Sequence, residues 1–281
     1  MELQIDTQYI LDTFRTLVNT PSPVGYYREI NPVVAQMAKE LGYEVTYDNR
    51  NTVYITVDGQ DNSKTVMIGG HLDTLGFIVR RIDDDGMIRI RNLGGVSHTS
   101  MESETVTVHT RDGRKYTGIY TCQSHSVHVF DDARTRPQDE QNMYVRVDEK
   151  VHSAEDVRAL GIEVGDYICY DPKTVFTDSG FLKSRFIDDK GSVSILLTLL
   201  RWMKESGKRP RCNVEVTFTV YEELGHGGAT FSPDLEELLA VDMGCVGADL
   251  NCDEYHVSIC AADSSGPFDY GMVSRLVSLA K

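Results

Sequence analysis

The chain of 281 residues lacks the features that mark membrane, secreted and nucleic-acid-binding proteins. No apolar run reaches the roughly 20 residues that a bilayer span requires. The first residues, MELQIDTQYILDTF, lack the basic-then-apolar order of a signal peptide. A formal net charge of −15 argues against binding to phosphate backbones, which requires clustered Lys and Arg. We therefore predict a cytoplasmic protein with no membrane and no nucleic acid among its partners.

Cysteine spacing is also uninformative about metals or disulfides, because none of the six cysteines stands in a C-x-x-C pair. Several lie within apolar, strand-like runs, as at Cys212 and Cys260. This placement predicts buried free thiols in a reducing compartment. A phosphate-cradling glycine loop and a convincing serine nucleophile pattern are absent as well.

Apolar periodicity is present in two stretches and predicts an α/β fold. The first stretch contains two helices and three strands, at residues 7–18, 28–41, 44–47, 52–57 and 65–69. The second begins near residue 176 and contains helices and strands in alternation, at residues 191–204 (helix), 213–220 (strand), 235–239 (short helix), 240–247 and 255–261 (strands) and 270–280 (helix). Strand–helix–strand order favours a mixed, largely parallel sheet with flanking helices.

The texture changes between about residues 77 and 170, where short β-type runs alternate with turn signals such as Asp85-Gly86 and Asp112-Gly113. This predicts an inserted small all-β module. The predicted organisation is residues 1–72 for the first part of a catalytic α/β domain, 73–172 for the module and 173–281 for the second part. The acidic run that ends at Gly86 lacks the alternating ligand spacing of a calcium loop.

Four segments with carboxylates stand at the edges of apolar runs: Gly70-His71-Leu72-Asp73, Ile187-Asp188-Asp189-Lys190-Gly191, Tyr221-Glu222-Glu223-Leu224-Gly225 and Val241-Asp242-Met243-Gly244. Because the carboxyl ends of parallel strands meet at one edge of a sheet, we expect these segments to converge on one site. An imidazole with several hard oxygen ligands suits zinc, cobalt or manganese, and leaves carboxylates for acid–base work.

The first two segments each admit a structural alternative. His71 and Asp73 are two apart on a strand end and so point to the same side, but a structural histidine beside an acid is common. Asp188 and Asp189 precede an apolar helix, so one of them could bridge two cations or cap the helix. The residues alone leave open which of the two aspartates binds a metal.

The last two segments are more specific. The strand-like run NVEVTFTV leads directly into Glu222 and Glu223, which would face opposite ways on a strand, so that one binds metal and the other accepts a proton. A solvated strand end is the alternative. Asp242 lies inside an apolar run and needs a partner or a cation there, whereas Asp249 and Asp253 lie in a more polar stretch.

In this order, and with the β module between the first two, the segments resemble the tetrahedral aminopeptidases, a family of co-catalytic metallopeptidases that includes glutamyl, leucyl and deblocking aminopeptidases and members described as glucanases. The resemblance implies four metal ligands, His71, Asp188, Glu223 and Asp242. It also implies that Asp188 bridges the two ions, that Glu222 is the general base, and that Asp73 polarises His71 or Glu222.

The resemblance further implies an activity, cofactors and partners. We expect hydrolysis of the N-terminal peptide bond of short peptides by a metal-bridged water, with Glu222 as general base. Two divalent ions are expected in the complete family site, zinc or cobalt, with manganese as a further option. A homo-oligomer, from dimer to dodecamer, is expected to assemble through the β module.

One departure from the family pattern concerns the C-terminal end. Family members continue further and supply a second metal-binding histidine, whereas no histidine follows His256 here. Two of the ligand residues, Asp188 and Glu223, would then be left alone at one metal position, and this chain would bind a single ion. The alternatives are a truncated or catalytically silent member that acts as an assembly or binding subunit, and a different amide or glycoside hydrolase on the same scaffold.

Overall fold

A computed structural model describes residues 4–281 and divides them into two compact units, which meet between Val241 and Asp242. The first unit contains four α-helices: α1 (Thr7–Val18), α2 (Ile30–Glu40), α3 (Ala154–Ala159) and α4 (Ile187–Ser206). Its strands are β1 (Thr46–Tyr47), β2 (Val53–Val57), β3 (Asp61–His71), β4 (Gly76–Ile82), β5 (Ile88–Leu93), β6 (Glu104–His109), β7 (Lys115–Cys122), β8 (Met143–Val147), β9 (Tyr167–Tyr170), β10 (Val175–Phe176), β11 (Leu182–Lys183), β12 (Cys212–Thr219) and β13 (Leu235–Ala240).

A mixed five-stranded sheet in the order β1-β2-β12-β3-β13 carries the strand ends of interest. Strand β3 pairs in parallel with both β12 and β13, while β2 pairs antiparallel with β12 and with β1. His71 is in register with Thr219, so β3 and β12 end at the same edge of the sheet. The chain therefore has the predicted mixed α/β fold. Within this sheet parallel pairing is confined to the two neighbours of β3, so the sheet is not largely parallel as expected.

The helices pack on this sheet through the apolar faces that the sequence predicts. Helix α1 buries Phe14, Leu17 and Val18, and the Asp6 carboxylate caps it by accepting the Tyr9 N–H at 2.9 Å. Helix α4 contributes Val193 and further apolar residues to a core that it shares with α1, α2 and strands β2 and β12. Burial of these faces, rather than helix propensity, accounts for most of their stability.

Strands β4 to β9 close into a barrel in the order β4-β5-β8-β7-β6-β9. Its interior is filled by apolar side chains from all six strands, among them Phe77, Ile88, Val106, Tyr120, Val145 and Ile168. Helix α3 packs Ala154 and Val157 against the same core. The β-rich content falls where the sequence places it, and the domain boundaries at residues 72 and 172 stay a prediction.

Three elements predicted in the second half are wrong. Residues 235–239, expected to be helical, form strand β13, in which Leu238 pairs with Met67 of β3. The run LEELLA has good helix formers, and parallel pairing with β3 overrides that local preference. The strands expected at 240–247 and 255–261 are also wrong, since residues 241–261 contain no strand in the described chain.

The second unit, residues 242–281, contains a two-stranded hairpin of β14 (Ala262–Asp263) and β15 (Gly266–Pro267), followed by α5 (Tyr270–Ala280). Asp269 caps α5 by accepting the Met272 N–H at 2.7 Å.

All six cysteines of the chain are free, and Cys245 and Cys260 are exposed rather than buried as expected. Within residues 4–281, no helix has the length and apolar character needed to cross a bilayer.

Candidate active site

His71 is held at the end of β3 with its imidazole 2% exposed. Its Nδ1 lies 2.9 Å from the Asp73 carbonyl oxygen and therefore donates its hydrogen to that carbonyl. In the neutral ring this leaves the lone pair on Nε2, which lies 2.9 Å from Asp188 Oδ1. Two electron-rich atoms at this distance repel each other unless a proton or a bound cation lies between them.

Asp73 is 1% exposed and ties β3 to the segment that follows β12. Its Oδ1 accepts the N–H of Glu222 and its Oδ2 accepts the N–H of Glu223, each at 3.1 Å. Burial raises the pKa of Asp73, while the nearby His71 and the two N–H groups act in the opposite direction. Asp73 thus fixes the position of both glutamates through their backbone.

Glu222 and Glu223 lie in a 3-10 turn, Glu222–Leu224, and not on an extended strand. The strand alternation that was expected to separate their side chains is therefore wrong, and the turn separates them instead. Glu222 Oε2 lies 3.7 Å from His71 Nε2, and the Glu222 side chain is 49% exposed. Glu223 is more enclosed: its burial and the neighbouring Asp188 carboxylate raise the pKa of Glu223 to about 7.

The adjacent aspartates at the start of α4 make different contacts. Asp188 directs Oδ1 at His71 Nε2, as described, whereas the fully buried Asp189 accepts the His71 backbone N–H on Oδ2 at 3.0 Å. Both have backbone angles outside the helical range, so the regular helix begins after them. Asp188 thus faces the imidazole ring of His71, whereas Asp189 binds the backbone of the same residue.

Three of the predicted ligands converge in the first unit. His71, Asp188 and Glu223 each offer one ligand atom, and these atoms lie within 4.8 Å of one another. The fourth, Asp242, is the first residue of the second unit and is exposed. Its role as a ligand stays a prediction.

Sequence reasoning missed Lys190, which is 1% exposed. Its Nζ donates to the Leu17 carbonyl at 2.9 Å and to the Thr20 carbonyl at 2.8 Å. Burial lowers the pKa of Lys190 to about 7 from its ordinary value near 10.5. The signal was present in the sequence, because a lysine directly after two aspartates at the start of an apolar helix lies near the site.

Solved structures with the same fold support these assignments of architecture. A TET aminopeptidase from a marine sediment Thaumarchaeota archaeon superposes with a TM-score of 0.83 at 22% identity, over 97% of this chain and 78% of that one. The TET1 peptidase of Pyrococcus horikoshii superposes with a TM-score of 0.80 at 19% identity, over 96% and 80% of the two chains. The fold is that of the TET aminopeptidases.

Sequence comparison defines the family. Residues 51–281 match the family model described as M42 glutamyl aminopeptidase. YhfE of Bacillus subtilis is 37% identical over 278 residues, which are 96% of this chain and 79% of that protein. The glutamyl aminopeptidase of Lactococcus lactis is 25% identical over 240 residues, 83% of this chain and 66% of that enzyme. The chain belongs to the M42 family, which confirms the resemblance inferred from the sequence.

Proposed function

We propose that the chain is a metal-dependent aminopeptidase that removes the N-terminal residue from short peptides. The observation that carries the proposal is the convergence of His71, Asp188 and Glu223 ligand atoms within 4.8 Å, with Glu222 beside them. Membership of the M42 glutamyl aminopeptidase family points to the same activity. Among the described residues of the first unit, no imidazole other than that of His71 lies in such a group with carboxylates.

The donor set fits divalent cations. One imidazole nitrogen and carboxylate oxygens suit zinc or cobalt, and manganese as well. The raised pKa of Glu223 reflects crowded negative charge, which a cation would neutralise. We propose that His71, Asp188 and Glu223 would hold such a cation, with Asp242 as a further ligand and Asp188 placed to serve a second ion if one binds. When bound, such ions act as Lewis acids on the peptide carbonyl and lower the pKa of water.

Glu222 is assigned as the general base. Its side chain is half exposed, so that it can meet both water and substrate, and its Oε2 lies 3.7 Å from His71 Nε2. Its carboxylate accepts a proton from the attacking water, and then returns that proton to the leaving amine. Asp73 holds the Glu222 backbone N–H at 3.1 Å and so keeps the base in place between the two proton transfers.

The barrel is proposed as the surface for self-assembly. Two structural relatives, the PhTET1 dodecamer and the Pyrococcus horikoshii TET1 peptidase, which can assemble into a tetrahedron or a large octahedral shell, superpose with TM-scores of 0.78 and 0.80. Light scattering tests this assignment by comparing the purified chain with a variant that carries Val127→Ala and Val129→Ala, two exposed residues in the loop that follows β7. A dimer or larger species is expected, and a monomer at all concentrations would contradict it.

The activity is tested with the metal-stripped chain, supplied with zinc or cobalt and given short peptides that have free or acetylated N-termini. We expect release of the first residue from the free peptides only, and loss of that release on chelation. Glu222→Gln should lower kcat by about 10²- to 10⁴-fold while metal binding persists. Glu236→Gln is the control, because that exposed glutamate lies on β13 in an ion pair with Lys64.

Other outcomes would select the alternatives. Metal binding without turnover on any peptide would favour a silent assembly subunit. Chelator-insensitive cleavage of glycosides would favour a glycoside hydrolase, which needs two carboxylates and no metal. The endoglucanase of Thermotoga maritima has the same fold, with a TM-score of 0.69 at 19% identity. A sequence identity this low supports a shared fold and not a shared activity.

A further inference from the structure

The stretch between α1 and α2, Thr20-Pro21-Ser22-Pro23-Val24-Gly25, is the 20–25 segment. Its prolines and glycine predict only the end of a helix and a turn. It lies outside residues 51–281, the part that matches the family model. Ser22 is 2% exposed, and Pro23 and Val24 are also buried. Its two prolines fix φ, which limits the conformations available to it.

The first contact of the 20–25 segment is with the end of β3. Ser22 Oγ donates to the Leu72 carbonyl at 2.7 Å, and the Thr74 N–H donates to the Ser22 carbonyl at 2.9 Å. The Val24 N–H donates to the Thr74 carbonyl at 3.1 Å. These three bonds hold the residues on both sides of Asp73.

The second contact is with the end of β12. The Gly25 N–H donates to the Val220 carbonyl at 3.0 Å, two residues before Glu222. Gly25 has a φ of +82°, and a Cβ at this position would lie 3.1 Å from the Tyr167 hydroxyl and 3.2 Å from Tyr221. A close approach between the 20–25 segment and the turn that carries the proposed base therefore depends on this glycine.

The third contact is with the start of α4. The Thr20 carbonyl, together with that of Leu17, accepts a hydrogen bond from Lys190 Nζ. Lys190 follows Asp188-Asp189 directly, so these bonds tie the two aspartates to the end of α1. An amine has two N–H donors when neutral and three when charged, so both carbonyls are satisfied in either state.

We propose that the 20–25 segment sets the spacing of the three chain segments that carry the proposed ligands and base, with Ser22 and Lys190 as positioning residues. The inference rests on the proposed function, because it concerns how His71, Asp188 and Glu222 are held. The 20–25 segment contacts each of the three chain segments at a residue one or two positions from His71, Asp188 or Glu222. Since partners behind a ligand change metal affinity or activity by about 10- to 100-fold, loss of these bonds has a measurable consequence.

Ser22→Ala tests the contact with β3. We expect zinc binding to weaken by about 10- to 100-fold, and kcat to fall with little change in KM. Thr198→Ala is the matched control, because Thr198 is also a buried hydroxyl that donates to a carbonyl, that of Ser194, at 2.8 Å. The control is expected to lose a similar amount of thermal stability while its zinc affinity and kcat stay unchanged.

Lys190 is tested by comparing Lys190→Met with Lys190→Arg. Methionine removes every donor, whereas arginine keeps donors for the Leu17 and Thr20 carbonyls, so we expect arginine to restore part of the zinc affinity that methionine loses. Lys204→Met is the control, because Lys204 lies on the same helix and donates to the Gly42 carbonyl at 3.0 Å. Equal zinc affinity in the wild type and in Lys190→Met would overturn the role of Lys190.

Amide hydrogen exchange of the metal-free protein separates this inference from the proposed function. Ser22→Ala is expected to speed exchange at the Thr74, Glu222 and Glu223 N–H groups, and Thr198→Ala is not. If the wild type binds no zinc, the proposed function fails, and the exchange result alone decides the spacing role. If the wild type binds zinc and Ser22→Ala matches Thr198→Ala in zinc affinity and exchange, the proposed function stands and the positioning role is overturned.

Discussion

The edge of the mixed sheet and the barrel bury different kinds of residue. At the sheet edge His71, Asp73, Asp189 and Lys190 are almost fully buried close to one another. The barrel interior is filled by apolar side chains, and the two buried acids at its strand ends are held separately: Glu104 pairs with Lys173 and Arg185, and Asp166 accepts the Glu163 N–H at 2.8 Å. The sheet edge gathers several ionisable side chains at one place, whereas the barrel keeps its few buried acids apart.

This difference indicates where stability and function reside. Buried ionisable groups cost free energy unless they are paired or bind a cation, so a cluster of them is weak evidence for stability. Well-packed apolar residues stabilise without any requirement for a ligand. We therefore expect substitutions at the sheet edge to change metal binding and catalysis, and substitutions in the barrel to change the free energy of unfolding.

The largest effect is expected for His71→Ala. It removes the imidazole that faces Asp188 Oδ1 at 2.9 Å, and zinc binding should weaken by more than about 100-fold, beyond the range for outer partners. The barrel counterpart is His98→Ala, which removes hydrogen bonds to Asn92 and Tyr120 and should leave zinc affinity unchanged. Calorimetric titration of both variants measures the difference, and equal zinc affinity in the two would remove the distinction between the regions.

A smaller effect is expected for Asp73→Asn. The amide keeps the shape of the side chain but retains one acceptor oxygen for two N–H groups, those of Glu222 and Glu223. We expect kcat to fall by about 10- to 100-fold. Steady-state kinetics with a free N-terminal peptide measure the change, and Asp83→Asn, at a barrel ion pair with Arg89, is the control. Unaltered kcat would show that Asp73 has no part in placing the glutamates.

Ile88→Val should reduce stability without changing the site. Ile88 is fully buried in the barrel core, so loss of one methylene should cost about 0.5–1.5 kcal/mol of unfolding free energy. Urea denaturation measures the loss, and zinc titration of the same variant should match the wild type. A parallel loss of zinc affinity would mean that barrel packing and the sheet edge are coupled.

The smallest effect is expected for Lys173→Ala. Its Nζ lies 2.6 Å from Glu104 Oε2, but the lysine side chain is largely exposed and Arg185 still pairs with the same carboxylate. We expect a loss of about 0–1 kcal/mol in unfolding free energy, decreasing at high salt. Denaturation at low and high ionic strength checks this. A loss well above that range would make Glu104 a buried charge that depends on the lysine.

Much of the fold could be predicted from local pattern. Helix α1 spans Thr7–Val18 as expected, since its apolar stripe and the Asp6 cap agree. Strand β13 could not be predicted in this way, because the helix-forming run at 235–240 is extended only through pairing with β3. Propensity is decided locally, and that pairing joins residues far apart in the sequence.

The residues of the site also differ in how far they could be predicted from the sequence. His71 and Glu223 converge because the ends of the parallel strands β3 and β12 meet at one edge, and Asp188 reaches them from the start of α4. The position of Lys190 next to two aspartates placed it near the site, but its contacts and those of Ser22 could not be predicted, since their partners are backbone carbonyls of distant segments. Side-chain chemistry is visible in a sequence, but a carbonyl acceptor is the same at every position.

The most direct test of the sheet edge as the metal centre is an anomalous diffraction map at the zinc edge from crystals of the zinc-loaded chain. We predict a peak within bonding distance of His71 Nε2, Asp188 and Glu223, with the Zn–N and Zn–O distances of about 2.0–2.2 Å that such sites show. A map with no peak at these residues, or with its peak at another group of side chains, would contradict the assignment of the sheet edge as the metal centre.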